Sequence, residues 1–147
     1  MRDNRPTITS YKDLEVYQNS YAACVTVFKH IIPQLPSQEK YDLIDQLSRA
    51  SKAIPRLIAE GYAKRHQKAG FQKYLYDAMA ETNEVIVCLE QSVDLYGLPS
   101  EETAKLVDLY DKTARQLYKL LQSWKNFKEN SSNDHRSSIR TSQPTND

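Results

Sequence analysis

Three segments of the chain carry apolar residues spaced alternately about four and three apart, and that spacing admits few folds. The first run is Leu43, Leu47, Ala50, Ile54, Leu57 and Gly61. The second is Phe71, Leu75, Ala78, Thr82, Val85, Leu89 and Val93. The third is Leu106, Tyr110, Thr113, Leu117, Leu120, Trp124 and Phe127. A repeat near 3.5 residues keeps one stripe of a helix turned toward its neighbours, which is the seam of a helical bundle. A fourth helix precedes them, its face marked by Leu14, Tyr21, Val25, Phe28 and Ile32, with Val16 and Tyr17 beside it.

The punctuation between these runs is brief. Ser10, with Asp13 three residues on, suits a helix start, and Pro33 and Pro36 end that first helix because neither continues it. Ser37 is expected to cap the second helix, with Glu39 near the positive end of its dipole. The polar bridge from Ala63 to Gly70 turns the chain, with Gly70 as its expected pivot. Tyr96-Gly97 closes the third helix, glycine being the usual left-handed residue there, and Glu101 and Glu102 occupy the first turn of the last. Only three glycines occur in 147 residues, as suits a helical chain with few tight turns. Helices joined by short loops lie antiparallel to their sequence neighbours. The expected fold is therefore all-α, an up-down-up-down four-helix bundle over residues 11–128. Residues 1–10 read as a flexible leader. Residues 129–147, polar, Ser/Asn-rich and aperiodic, read as a disordered tail that cannot repay its ordering entropy.

Within the second helix, Gln46 to Arg65 combines three features. Pro55 stands inside a helical pattern, where it removes a backbone donor and is expected to bend the helix. Small residues crowd around it. Arg49, Lys52 and Arg56 follow at helical spacing, projecting from the side opposite the seam. The net charge of +1 hides a strong asymmetry. Between Arg49 and Lys73 the bases are Arg49, Lys52, Arg56, Lys64, Arg65, Lys68 and Lys73, against Glu60 alone. From Asp77 to Asp111 nine acids face only Lys105. Blocks of this kind suit either a polyanionic partner or contact between unlike faces of identical copies.

Other function classes find little support. The N-terminus has no apolar stretch of the kind that directs export, and no run approaches the roughly 20 apolar residues of a membrane span, so a cytoplasmic protein with no membrane partner is expected. Cys24 and Cys88 lie far apart without metal spacing and are expected to be reduced and semi-buried. Bundles hold di-metal sites through Glu-x-x-His pairs. Here Glu81 and Glu84 lack a suitably spaced histidine, and His30, His66 and His135 are scattered. No nucleophile motif or glycine-rich phosphate loop is present. No metal, no cofactor and no enzymatic activity are expected.

Bases neutralise phosphates, and aromatic faces stack on unpaired bases. The basic block, interleaved with Tyr62, Tyr74 and Tyr76, therefore suits RNA, through Arg49, Lys52, Arg56, Lys64, Arg65, Lys68 and Lys73. An ordinary solvated face is the plain alternative. Tyr11, Tyr17, Tyr21, Tyr110 and Tyr118 lie on or beside core stripes and add little to that reading. A contact between copies, basic stripe against acidic stripe, would be heterologous and could close into a ring. Ala53, Pro55, Ala59, Glu60 and Ala63 on the second helix, with Glu81 and Glu84 on the third, are the residues expected there.

YKDLEVYQ in the first helix, QLSRASKAIPRLIAEG in the second and YLYDAMAETNEV in the third resemble a bacterial family of four-helix bundles. Its members are encoded in intervening sequences of 23S ribosomal RNA genes and are often labelled "S23 ribosomal protein"; the accessory variability determinant proteins of diversity-generating retroelements are grouped with them. The most specific match is Arg49 followed by Ile54 to Gly61. Leu57 stands where the family usually has asparagine, and Ala80-Glu81 where it has Gly-Ser. The resemblance implies a ring-shaped homopentamer. In the retroelement branch it implies a basic accessory factor that binds a reverse transcriptase and its template RNA. A structural scaffold with no nucleic-acid role is the alternative expectation.

Overall fold

The computed structural model describes residues 7–140, with side chains as far as Ser123. Four helices dominate: α1 (Glu15–Thr26), α2 (Leu43–Ala63), α3 (Lys68–Tyr96) and α4 (Ser100–Arg140). No strand occurs among the described residues. Each helix packs on the next, and α1 closes on α4. The pairs run antiparallel. Gln46, early in α2, meets Cys88, late in α3, while Gly61 at the far end of α2 lies against Tyr74 and Leu75. Likewise Leu14 and Leu120 line one cavity, and Cys24 neighbours Tyr110. The expected bundle is the observed one. The backbone of α4 runs on to Arg140, into the stretch expected as a tail; the side chains of Trp124, Phe127 and that whole tail, 129–147, lie outside the described residues, as do residues 1–6 of the leader.

The seam of α3 follows its pattern closely: Phe71, Leu75, Ala78, Thr82, Val85 and Leu89 are all buried, joined by Cys88 and Ser92. In α4, Thr103, Leu106, Tyr110, Thr113, Leu117 and Leu121 are buried, with Leu120 packed partly against them. α2 departs at one step. Leu43, Leu47, Ala50, Ile54 and Gly61 are buried, but Ile58 takes the core position expected of Leu57, which is only partly covered. The stripe of a straight helix advances by 3.6 rather than 3.5 residues per turn, so a strict alternation drifts off the core within a few turns. α2 continues through Pro55 as a single helix, with Pro55 itself buried.

α1 departs more. Its buried residues are Val16, Ser20 and Ala23, continued by Val27 and Ile31 in a π-turn, Val27–Ile31. The expected face is largely outside: Tyr21 is 56% exposed, Val25 39% and Phe28 38%. Small Ser20 and Ala23 let the helix approach its neighbours closely, and that approach leaves the larger side chains on the flank.

The helix ends show how local chemistry sets boundaries. Ser10 caps a 3₁₀ turn, Tyr11–Asp13, through a capping box completed by Asp13; extended Leu14 then separates that turn from α1. Ser37 does not cap α2. Glu39 does so instead: its carboxylate accepts from the Leu43 amide at 3.1 Å and from the Tyr96 hydroxyl at the end of α3. Those two hydrogen bonds, Tyr96's first, hold Glu39 below its ordinary pKa. A depressed carboxylate adds stability above its ordinary value near 4.5, and that contribution is lost as pH falls through the folded-state value. Glu39→Gln should therefore lower the thermal midpoint at neutral pH, with the gap to wild type closing in acid. A gap of the same size in acid would refute the capping role. Gly97 takes φ 67°, the left-handed geometry expected at this terminus. Gly70 is not the pivot of the second turn. It sits in the first turn of α3 with the Lys64 side chain lying across it, and the chain reverses over Lys64–Gln67.

Buried hydroxyls are satisfied within their own helices. Ser51, Thr82, Ser92, Thr103 and Thr113 each donate to the carbonyl four residues earlier, at 2.6–2.9 Å. The Tyr110 hydroxyl differs, being buried with no hydrogen-bond partner among the described residues; desolvation pushes its pKa well up. Burial likewise pushes the Cys88 thiol up to about 11, so it packs as a neutral group.

Candidate nucleic-acid interface

α2 presents its seam inward, which carries the basic residues outward along the opposite side. Arg56 is exposed and Lys52 half-buried, and the exposed bases Lys64, Arg65 and Lys68 continue from them around the turn into α3, followed by Lys73. The exposed acid within this run is Glu60. Lys52 places its ammonium 5.7 Å from the Phe28 ring, and Lys73 lies 5.7 Å from the Tyr74 ring. The Arg65 guanidinium stacks 4.3 Å over Tyr62 and donates to the Tyr62 carbonyl at 3.0 Å. Such contacts leave a cation charged and solvent-accessible while fixing its direction.

Arg49 stands apart from the others. It is 67% exposed but pairs with Asp45 at 3.0 Å, one turn earlier on α2. It also faces α3, where its charge acts on Glu81. The Glu81 carboxyl is raised above its ordinary pKa, first by burial and then by the hydrogen bond and charge of Glu84; Asp77 adds to this and Arg49 opposes it. Asp77, Glu81 and Glu84 therefore gather along the α2 side of α3, beside a base of the same chain.

The residues expected at a contact between copies differ in exposure. Ala53, Glu81 and Glu84 are half-buried, Pro55 is buried, Glu60 and Ala63 are exposed, and Ala59 lies in a groove between α1 and α2. That groove, about 630 Å³ in volume, is the feature sequence reasoning missed. One wall is α1 and the π-turn that continues it, with Tyr17, Tyr21, Cys24, Val25 and Phe28; the other is α2, with Lys52, Pro55, Arg56 and Ala59. Tyr11 and Lys29 also line it, and among the described residues no acid contributes. Tyr11 meets Tyr17 edge-on at 4.9 Å between ring centroids, and Tyr17 meets Tyr21 at 5.9 Å. A signal was present in the sequence: Tyr17, Tyr21, Cys24 and Phe28 form a second helical stripe beside the small-residue stripe, and a helix in a bundle buries only one of two such stripes fully.

Among the described residues, no group of three His, Cys, Asp or Glu side chains is placed to hold a metal ion, and no helix is long and apolar enough to cross a membrane. The arrangement offers direction-fixed cations and exposed aromatic faces.

No curated protein matches the chain. The family described as 23S rRNA-intervening sequence protein matches residues 12–119, a span that takes in α1, α2, α3 and much of α4. Together with the bundle itself, that match places the chain in a known group: it belongs to the 23S rRNA-intervening sequence protein family.

Proposed function

We propose that this chain is a non-enzymatic protein that assembles with copies of itself and binds nucleic acid, RNA in particular, through the outer face of α2 and the α2–α3 turn. The observation that carries the reading is the run of accessible bases from Lys52 through Lys73, broken only by Glu60. Arg49, already paired with Asp45, contributes less than sequence spacing suggests. Exposed Val87 and Leu95 on α3 and Tyr118 on α4 supply apolar surface for self-assembly, which the family resemblance extends to a pentameric ring. The same resemblance supports a role beside a reverse transcriptase and its template RNA.

Neutralising phosphates releases counterions, so affinity falls steeply with salt. Arg56→Glu/Lys64→Glu/Lys68→Glu should weaken RNA binding and reduce the slope of log affinity against log salt by about 0.7–0.9 for each phosphate that is no longer neutralised. Unchanged affinity and slope would sink the reading. Light scattering distinguishes the scaffold alternative, which wins if wild type binds no nucleic acid and the reversed protein falls to monomers.

A further inference from the structure

We propose that the α1/α2 groove is a binding site for unpaired, single-stranded nucleic acid, with bases lying against Tyr17, Tyr21 and Phe28 and phosphates on Lys29, Lys52 and Arg56. The inference rests on the nucleic-acid reading above and adds to it a site on α1. Three observations converge on the groove. Its volume, about 630 Å³, falls within the size range of ligand-sized clefts. Its wall on α1 and the following π-turn is an aromatic row that includes solvent-open rings, Tyr21 at 56% and Phe28 at 38%. Among the described residues its rim carries three bases, Lys29, Lys52 and Arg56, and no acid.

Aromatic rings beside a positively charged track are what a single strand requires, because every base has a face to stack and every linkage a charge to neutralise. A duplex keeps its bases stacked within itself and cannot use the tyrosines. Lys52 ties the two parts together, since its ammonium sits against the Phe28 ring on the rim of the groove. Arg56 is shared with the exposed basic run of α2, so a strand leaving the groove meets bases leading to the α2–α3 turn.

A second copy of the chain is the rival occupant, and it would need an acidic surface to match the rim. Glu90 and Asp94 of α3 and Glu101 and Glu102 of α4 are exposed acids, but the rest of the acidic block is engaged or mixed with bases. Asp77, Glu81 and Glu84 gather beside Arg49 of their own chain, and the exposed acids Asp108 and Asp111 of α4 alternate with Lys105, Lys112 and Arg115. A single-stranded polyanion matches the aromatic wall as well as the basic rim, whereas acids alone match only the rim.

The test compares a short oligo(U) or oligo(dT) strand with a duplex of equal length, by fluorescence anisotropy at fixed salt. Tyr21→Leu/Phe28→Leu keeps apolar bulk at two solvent-exposed positions, and retention of the wild-type thermal midpoint verifies folding. Single-strand affinity should fall at least about tenfold, with duplex affinity nearly unchanged, whereas Tyr21→Phe should retain binding. Photocrosslinking of a 5-bromouridine strand should mark Tyr17 or Tyr21. Unchanged single-strand affinity in the leucine variant, with crosslinks confined to residues 64–73, overturns the groove while leaving the basic turn intact as a nucleic-acid surface. A leucine variant that dissociates to smaller oligomers assigns the groove to contact between copies and also overturns it. Failure of wild type to bind any nucleic acid removes both readings.

Discussion

Ile58→Ala is expected to cost about 2–5 kcal/mol of folding stability, the range for truncating a fully enclosed aliphatic side chain. Leu57→Ala, one residue away and larger in neither volume nor hydrophobicity, should cost clearly less. Ile58 is wholly buried at the centre of the bundle, while Leu57 is only partly covered at its margin. The loss at Ile58 combines the transfer free energy of the removed carbons with the cavity left behind, because four helices cannot all close on it. Denaturant unfolding measures both variants. The midpoint for Ile58→Ala should drop with little change in slope, and the thermal midpoint should fall by roughly 2–4 °C per kcal/mol. Equal costs at the two positions would mean that α2 is rotated from the orientation described.

The second large effect is expected at Gly61. A Cβ built there would stand 3.3 Å from the Tyr74 Cβ and 3.5 Å from the Leu75 Cδ2, so α2 and α3 approach closely at this end. Gly61→Ala should be close to neutral. The fit is tight, but alanine gains about 0.8–1.0 kcal/mol over glycine within a helix. Gly61→Val adds two further methyl groups against the Tyr74 and Leu75 side chains of α3 and should cost about 1–3 kcal/mol through forced displacement. If valine is tolerated as well as alanine in a melting experiment, the two helices are further apart here than described.

These residues also show what the chain discloses in one dimension. α3 is legible because it is long, regular and flanked on both sides, so its buried stripe coincides with its hydrophobic one. The slip from Leu57 to Ile58 has a simple origin, since both are large aliphatics and only the helix's true pitch decides between them. α1 departs from its pattern for a deeper reason. Hydrophobicity says what a side chain would gain by burial, but close packing decides which stripe is admitted, and Ser20 and Ala23 admit a neighbouring helix where Tyr21 and Phe28 would hold it off. The basic stripe is legible because charges must face water and seam positions must not. The groove is not, because it belongs to two helices at once and each contributes a stripe that is ordinary alone. Arg49's engagement with Asp45 and the acids of α3 is similarly hidden, although its spacing to Asp45 is visible in the sequence.

The hydroxyls that bond back to their own helices have a bearing on how the bundle keeps its alignment. Thr82, Ser92, Thr103 and Thr113 direct their donors to carbonyls one turn behind them, so toward neighbouring helices they present methyl and methylene surface. Such surfaces resist separation yet offer little grip against sliding along the axis. The longitudinal setting of the helices then falls to the ends of the bundle. There Gly97 fixes the reversal from α3 into α4, and the Tyr96–Glu39 hydrogen bond ties the end of α3 to the start of α2. In this molecule the termini of the helices act as the ruler, and the interior acts as the glue.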